Sequence, residues 1–454
     1  MSSLPETLQL RRQRLANLFD APVMLWSGVR SSRNFPANTH PFRASSHFLY
    51  FTGLPLENAV IYLASGKMTL FVDEATPTIA LWHGETPKRE EIAAQIGADE
   101  AYPLSQVKRF TEGVATIAAV DPITRLEQSR LLNRMMTPLD ALEDQDLKLA
   151  RSIVTLRSTH DEAALAEIRK AIAVTIEAHK AGMAATPTAQ REAQIRAAME
   201  GVILSHDMTC AYNSIVTVHG EVLHNEEYHH PVRSTDLVLA DVGAETATGW
   251  ASDLTRTWAA SGKFSSTQRA LYDVVLQAHD DAIAQVRPGV EYRDIHLLAC
   301  HTLAEGLVDL GILKGNPADL VEMDAHALFF PHGIGHLLGL DVHDMEDLGD
   351  LAGYAANRSR SARFGLGYLR LDRPVQAGMV VTIEPGFYQV PAILNAPERR
   401  EKYRDIVNWE RLVEFSDVRG IRIEDDVWVT AEGAEVLSAA LPTDATSIEQ
   451  FVAG

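Results

Sequence analysis

Short apolar runs rich in β-branched residues punctuate the first third of the chain. "APVMLWSG", "AVIYLA", "MTLFVD" and "VATIAAV" are bounded by turn residues and predict buried strands. "PKREEIAAQIG" has helical spacing and a glycine stop, and the opening "MSSLPETLQLRRQRLANLFD" predicts an amphipathic helix. The pattern then lengthens. In "DEAALAEIRKAIAVTIEAHKAG", Leu165, Ile168, Ile172 and Ile176 recur at intervals of three and four, which predicts a helix ending at Gly182. "SSTQRALYDVVLQAHDDAIAQV", with cap-type serines, and "RDIHLLACHTLAEGLVDLG" predict two more. Strand-like runs "NSIVTV", "DLVLADVG", "MVVTIEPGFY" and "IRIEDDVWVT" lie between and after them. The expected architecture is a smaller α/β domain over residues 1–155, then an α+β domain over 156–454 with helices on a mostly antiparallel sheet. The charged, proline-containing stretch "RMMTPLDALEDQDLKLARSIVTLRSTHD" carries the boundary.

Composition narrows the function. Two domains suit 454 residues. A net charge of -20, from 41 basic and 61 acidic residues, argues against nucleic acid as a partner. Two cysteines, Cys210 and Cys300, form no C-x-x-C pair, so a disulfide framework is not expected and a reducing cytoplasm is. The N-terminus lacks the apolar core and cleavage site of a signal peptide, and no apolar run is long enough to span a bilayer, so no membrane association is expected.

Several strand-like runs carry acids where apolar residues belong. "LVLADVGAE" puts Asp241 at the end of a hydrophobic run and "GWASDLTRTW" contains Asp253, with hairpin glycines between them. Antiparallel pairing across that turn brings the two side by side on one face. Either alone reads as a capping or turn aspartate; together, ionised and partly buried, they call for a cation. "VVTIEPGFY" places Glu384 after a β-branched run. In "GIRIEDDVWV", alternation puts Arg422 and Glu424 on one face, giving Glu424 a nearby guanidinium. "FFPHGIGHLLGLDVHD" adds His332, His336 and His343 among glycines. Two aspartates, two glutamates and a histidine, with no thiolate, suit two divalent ions such as manganese, cobalt or zinc at a water-activating two-metal site. "HNEEYHH" lacks the spacing of a metal-binding helix, and Glu226, Glu227, His229 and His230 are expected to face solvent.

The ordered set D…D…H-G-x-x-H…H…E-P-G…R-x-E resembles the pita-bread metallopeptidases, which include methionine aminopeptidase, aminopeptidase P and prolidase. The resemblance spans residues 160–454. It extends to the N-terminal part through "HPFRASSHFLYFTGL" and "MTLFVD", which resemble a creatinase-type N-terminal domain. The resemblance implies five ligands to a dinuclear centre: Asp253 and Glu424 bridging, Asp241 on one ion, His336 and Glu384 on the other. It implies that Glu384 also accepts a proton, that His332 and His343 contact substrate and steady the intermediate, and that His224 is a further substrate-side histidine. Arg422 supports the ligands from behind. The aspartates stand twelve apart (253 - 241), where the family pattern has eleven, so the "ETATG" turn needs a longer loop or a bulge.

The implied activity is hydrolysis of Xaa-Pro bonds at peptide N-termini with two divalent ions, manganese first. The N-terminal domain favours aminopeptidase P. The segment "SARFGLGYLRLDRPVQAGMVVTIEPGFY" resembles prolidase instead, and Arg370 matches the arginine that binds a dipeptide's carboxylate. The competing readings are prolidase, a metal-free non-catalytic relative, and a metal-free hydrolase like creatinase. Proline-containing peptides are the implied partners, with a homodimer or homotetramer as the implied assembly.

Overall fold

The computed structural model describes residues 3–136 and 144–453, so residues 137–143 of the boundary stretch lie outside it. The chain divides into two compact units: Met1–Ala163 with Ala247–Gly249 and Met345–Ala352, and the remainder from Ala164 onward. Residue 155 falls inside the continuous helix Asp144–Arg157 of the first unit. Among the described residues no helix is long and apolar enough to cross a membrane.

The first unit is built on a four-stranded sheet in the order Val23–Trp26, Val60–Ala64, Lys67–Phe71, Glu100–Tyr102. Its first three strands are antiparallel and the last joins in parallel. Met24, Trp26, Val60, Phe71, Val107 and Val114 form a core beneath, to which Tyr62, Tyr102 and Phe110 add an aromatic cluster. Helix Leu4–Leu18 starts at a capping box on Ser3 and Glu6, and Gly97, in the left-handed region, ends Arg89–Ile96. The expected strand "VATIAAV" is only a bridge from Ala115 to Val23. Side chains take the place of a strand partner there. Asp146 accepts from Thr116 N at 2.9 Å, and the Gln128 amide bonds both Ile117 O and Ala119 N.

In the second unit every named strand pairing is antiparallel. Leu237–Val242 lies between Leu254–Ala259 and Ile215–Thr217. A second sheet joins Val380–Ile383, Asp425–Val429 and Ala434–Val436, while Gly386–Tyr388 pairs with Gly420–Arg422. The runs "MVVTIEPGFY" and "IRIEDDVWVT" therefore each split into two strands, at Glu384–Pro385 and at Ile423–Glu424. A bridge from Thr255 to Glu424 stitches the sheets together. Helices Glu162–Ala185, Ser266–Gln285 and Tyr292–Asp309 turn their apolar faces inward. Gly182 does not stop the first of these, which continues to Ala185. A Cβ there would lie 2.7 Å from Met199, so this glycine serves close packing instead. His179, fully buried, reaches the carbonyls of Val242 and Leu254 and pins that helix to the hairpin.

Candidate active site

Each of the four expected acidic ligands stands where a strand stops or breaks. Asp241 is near the end of Leu237–Val242, and Asp253 immediately precedes Leu254–Ala259. Pairing is regular from Asp241↔Thr255 to Glu245↔Ala251, so the extra residue is absorbed by a longer loop closed by Thr246 N and Trp250 O at 2.9 Å, with no bulge. The same register sets the two aspartates on one face of the sheet. Thr255 faces Asp241, and Asp253 lies diagonally, two positions along on the same face. The diagonal leaves room for Tyr212, whose hydroxyl contacts Oδ1 of both aspartates.

His336 arrives on a loop that only glycine permits: a Cβ on Gly335 would fall 2.1 Å from Thr382 O. Its Nδ1 donates to Leu337 O at 3.0 Å, which turns the Nε2 lone pair toward the acids. Nε2 lies 3.4 Å from Asp253 Oδ2 and 3.7 Å from Glu384 Oε1. Donor atoms of Asp253, His336 and Glu424 all fall within 4.8 Å of one another. Glu424 also accepts from Thr255 Oγ1 at 2.6 Å.

This gathering is electrostatically expensive. Burial, then mutual repulsion with Asp241, pushes the Asp253 carboxyl up. Burial followed by Asp253 and Glu384 does the same to Glu424. Glu384 is pushed up by burial, against the pull of His336 and Arg422. Burial and the two aspartates keep the Tyr212 phenol protonated. It has one proton for two carboxylate neighbours, so the acids need a further source of positive charge. Divalent cations would remove that need, and the oxygen-plus-imidazole donor set is the kind that hard and borderline ions select. The residues fit such a centre.

A second network runs behind the acids. Arg422, 4% exposed, donates to Asp241 Oδ2 at 2.6 Å, to Thr255 Oγ1 at 3.1 Å and to Tyr388 Oη at 3.1 Å. Its ion-pair partner is Asp241, and Glu424 lies close by: the Thr255 hydroxyl accepts from Arg422 Nε and donates to Glu424. Tyr388 Oη lies 2.9 Å from His332 Nε2, and His332 Nδ1 donates to Gly333 O at 2.8 Å. Burial and Arg422 hold His332 well below the usual histidine range, so the ring is neutral and Nε2 accepts from Tyr388. Both its nitrogens are engaged within the protein. His343 is half-buried and packs edge-on against His336, with ring centres 4.4 Å apart. His224 is exposed; burial and then the charges of Arg422 and Arg370 lower its pKa. Arg370 is half-buried, and its charge reaches Glu384 and His332 as well. Glu226, Glu227 and His229 are exposed, whereas His230 is half-buried on Glu192.

Sequence reasoning missed Tyr212, Tyr388, Thr255, Arg256 and Asp426. Arg256 is fully buried and bonds Glu424 O at 2.7 Å and Asp425 Oδ1 at 2.8 Å, which fixes the segment carrying Glu424. Asp426 Oδ2 accepts from Asp253 N at 3.1 Å.

Strand-end carboxylates converging on one imidazole nitrogen define a metallopeptidase-type centre. The chain belongs to metallopeptidase family M24, whose model matches residues 166–431; the aminopeptidase P N-terminal domain model matches residues 8–119. The chain is thus an enzyme with the pita-bread fold of the aminopeptidase P branch. Its relatives include a protein of Fusarium vanettenii named "Probable Xaa-Pro aminopeptidase", 32% identical over 88% of this chain and 85% of the relative. Another, of Sordaria macrospora and similarly named, is 32% identical over 97% and 94%. Among solved structures, aminopeptidase P from Escherichia coli with the inhibitor Pro-Leu covers 100% of this chain and 98% of its own, with a TM-score of 0.80 and 26% identity.

Proposed function

We propose that this chain removes the N-terminal residue from peptides whose second residue is proline, as an Xaa-Pro aminopeptidase. The observation that carries the reading is the convergence of Asp253, His336 and Glu424 donor atoms within 4.8 Å, with Glu384 3.7 Å from the same imidazole nitrogen. Asp241, Asp253, His336, Glu384 and Glu424 would hold two divalent ions, manganese by preference with cobalt or zinc as substitutes. Such ions polarise the scissile carbonyl and make water nucleophilic at neutral pH. The protein's own groups do the rest. Glu384, whose affinity for a proton is raised by burial, can as the carboxylate take a proton from the attacking water and pass it to the departing proline nitrogen. Arg422 and Tyr212 hold the aspartates in place. His343, beside His336, faces the substrate side and supports the developing oxyanion. His332, neutral and tied to Tyr388, keeps that wall of the site in position for the substrate backbone. His224 and Arg370 line the approach.

A cytoplasmic location is supported by both cysteines being free. A homodimer or homotetramer is supported by helix Pro77–His83, which buries none of its residues and leaves Leu81 and Trp82 more than three-quarters exposed. The test of the activity is a comparison of Xaa-Pro-Xaa tripeptides, Xaa-Pro dipeptides and Xaa-Ala-Xaa controls. Release of the first residue from the proline tripeptide, with the alanine control untouched, supports the reading. Equal cleavage of both tripeptides sinks it, and strict confinement to dipeptides makes the enzyme a prolidase.

A further inference from the structure

A second cluster of metal-binding side chains lies outside the acidic centre. His296 and Cys300 are four residues apart on helix Tyr292–Asp309 and so share one face. His326, on the short turn His326–Leu328, meets them. Ligand atoms of all three fall within 4.8 Å of one another, and Cys300 Sγ is 3.4 Å from His296 Nε2. Each side chain is buried to within 1%. Neither ring nitrogen of His326 makes a hydrogen bond. The Leu320 carbonyl lies near enough to favour a charged ring without completing one. A buried imidazole with two unmade hydrogen bonds is a cost that native interiors seldom carry without a ligand.

The chemistry of the three is that of a borderline-soft site. Burial lowers His326 to about 4 and His296 to about 3, so both imidazoles are neutral and have lone pairs to give. The Cys300 thiol is pushed up by burial, so it is inert as a thiolate until a cation is present. We propose that His296, Cys300 and His326 form a structural site for one zinc-class divalent ion, separate from the catalytic centre. On binding, the Cys300 S–H bond breaks, its proton goes to solvent, and the sulfur and two imidazole lone pairs form three bonds to the ion. The remaining positive charge faces Asp324, the acid whose field reaches both Cys300 and His326 and which also holds Arg363 at 2.9 Å. The ion joins helix Tyr292–Asp309 to the turn that leads into "FFPHGIGH". The His296 ring is 5.6 Å from Phe330, and Phe330 packs edge-on at 4.7 Å against His332. Nothing in this assignment depends on the peptidase reading.

Cobalt reports the site selectively, because the catalytic donors are all oxygen or nitrogen. The full chain is expressed in cobalt-supplemented medium, so that it meets the ion while folding. We expect a near-ultraviolet thiolate-to-cobalt charge-transfer band, absent from Cys300→Ser, reduced at least tenfold in His326→Gln, and unchanged in Cys210→Ser. Should Cys300→Ser fail to fold, X-ray absorption of zinc-grown wild type reads the same point through a sulfur neighbour to zinc. Folded wild type with neither band nor sulfur neighbour overturns the site, as does a band that survives Cys300→Ser or disappears in Cys210→Ser.

Discussion

Replacing Arg422 with methionine preserves bulk and apolar packing but removes three contacts together. The first is the charge-assisted bond to Asp241 Oδ2 at 2.6 Å; the others go to Thr255 and Tyr388, both at 3.1 Å. A hydrogen bond to a charged group contributes about 1.5–3 kcal/mol. Asp241 then loses its orienting partner, and partners of this kind typically affect metal affinity or activity about 10–100-fold. The structure adds a second consequence. Tyr388 links Arg422 to His332, so the histidine wall loosens along with the acids. Excess manganese should restore the occupancy lost through Asp241 but not the wall. We therefore expect Arg422→Met to lower kcat/KM about 10–100-fold at limiting metal and to remain impaired at saturating metal. Arg422→Lys, which keeps charge without the planar fork, should recover only part of the loss. The assay is proline-tripeptide hydrolysis across a manganese titration. Recovery of full kcat/KM at high manganese would show that Arg422 serves only the metal ligands. A loss below threefold under all conditions would refute the network.

The remaining predictions probe other parts of the site. Glu384→Gln should abolish turnover while the fold, followed by circular dichroism, is retained; activity within tenfold of the parent would remove Glu384 from its double role. Arg370→Ala should leave proline-tripeptide hydrolysis nearly unchanged, and a selective loss of roughly 1.5–3 kcal/mol of transition-state stabilisation on Xaa-Pro dipeptides, where a guanidinium can pair with the terminal carboxylate, would make the enzyme a prolidase. Equal effects on both would place Arg370 elsewhere. The adjacent Asp425 and Asp426 should behave oppositely in urea denaturation. Despite burial, Arg256 and His279 hold the Asp425 carboxyl far below the usual range, so Asp425→Asn strands a buried guanidinium and should cost about 3–5 kcal/mol. Burial and Asp253 push the Asp426 carboxyl well up, so Asp426→Asn, which removes a charge that burial already disfavours, should change stability by less than about 1 kcal/mol. Similar losses for both would show that Asp426 is ionised.

The metal-ligand set was legible because each candidate acid interrupts or borders a strand-like run, where alternation and burial make a carboxylate conspicuous. His336 stood out among glycines that a Cβ would displace. The supporting residues carried no such mark. Tyr212 and Tyr388 look like any aromatic beside a strand, and their role depends on which carboxylates fold onto them. Thr255 and Arg256 sit in a strand whose pattern reads simply as polar alternation, and the partners of Arg256 at Pro442 and Leu441 are far away in sequence. The misread elements share one physical origin, which is that tertiary contacts decided them. "VATIAAV" satisfies its backbone with Asp146 and Gln128 in place of a strand, and Gly182 continues a helix because Met199 presses against it. The breaks after Ile383 and Arg422 are likewise invisible in apolar periodicity, yet they present Glu384 and Glu424 to the site.

Chelation followed by metal restoration tests the central claim most directly, with activity and bound metal measured on the same samples. Stripped protein should be folded and inactive on the proline tripeptide. Activity should return as manganese or cobalt is added and reach its maximum as occupancy of the acidic centre approaches two ions per chain. In His336→Ala it should not return. Full activity in wild-type protein shown to be metal-free would contradict the account.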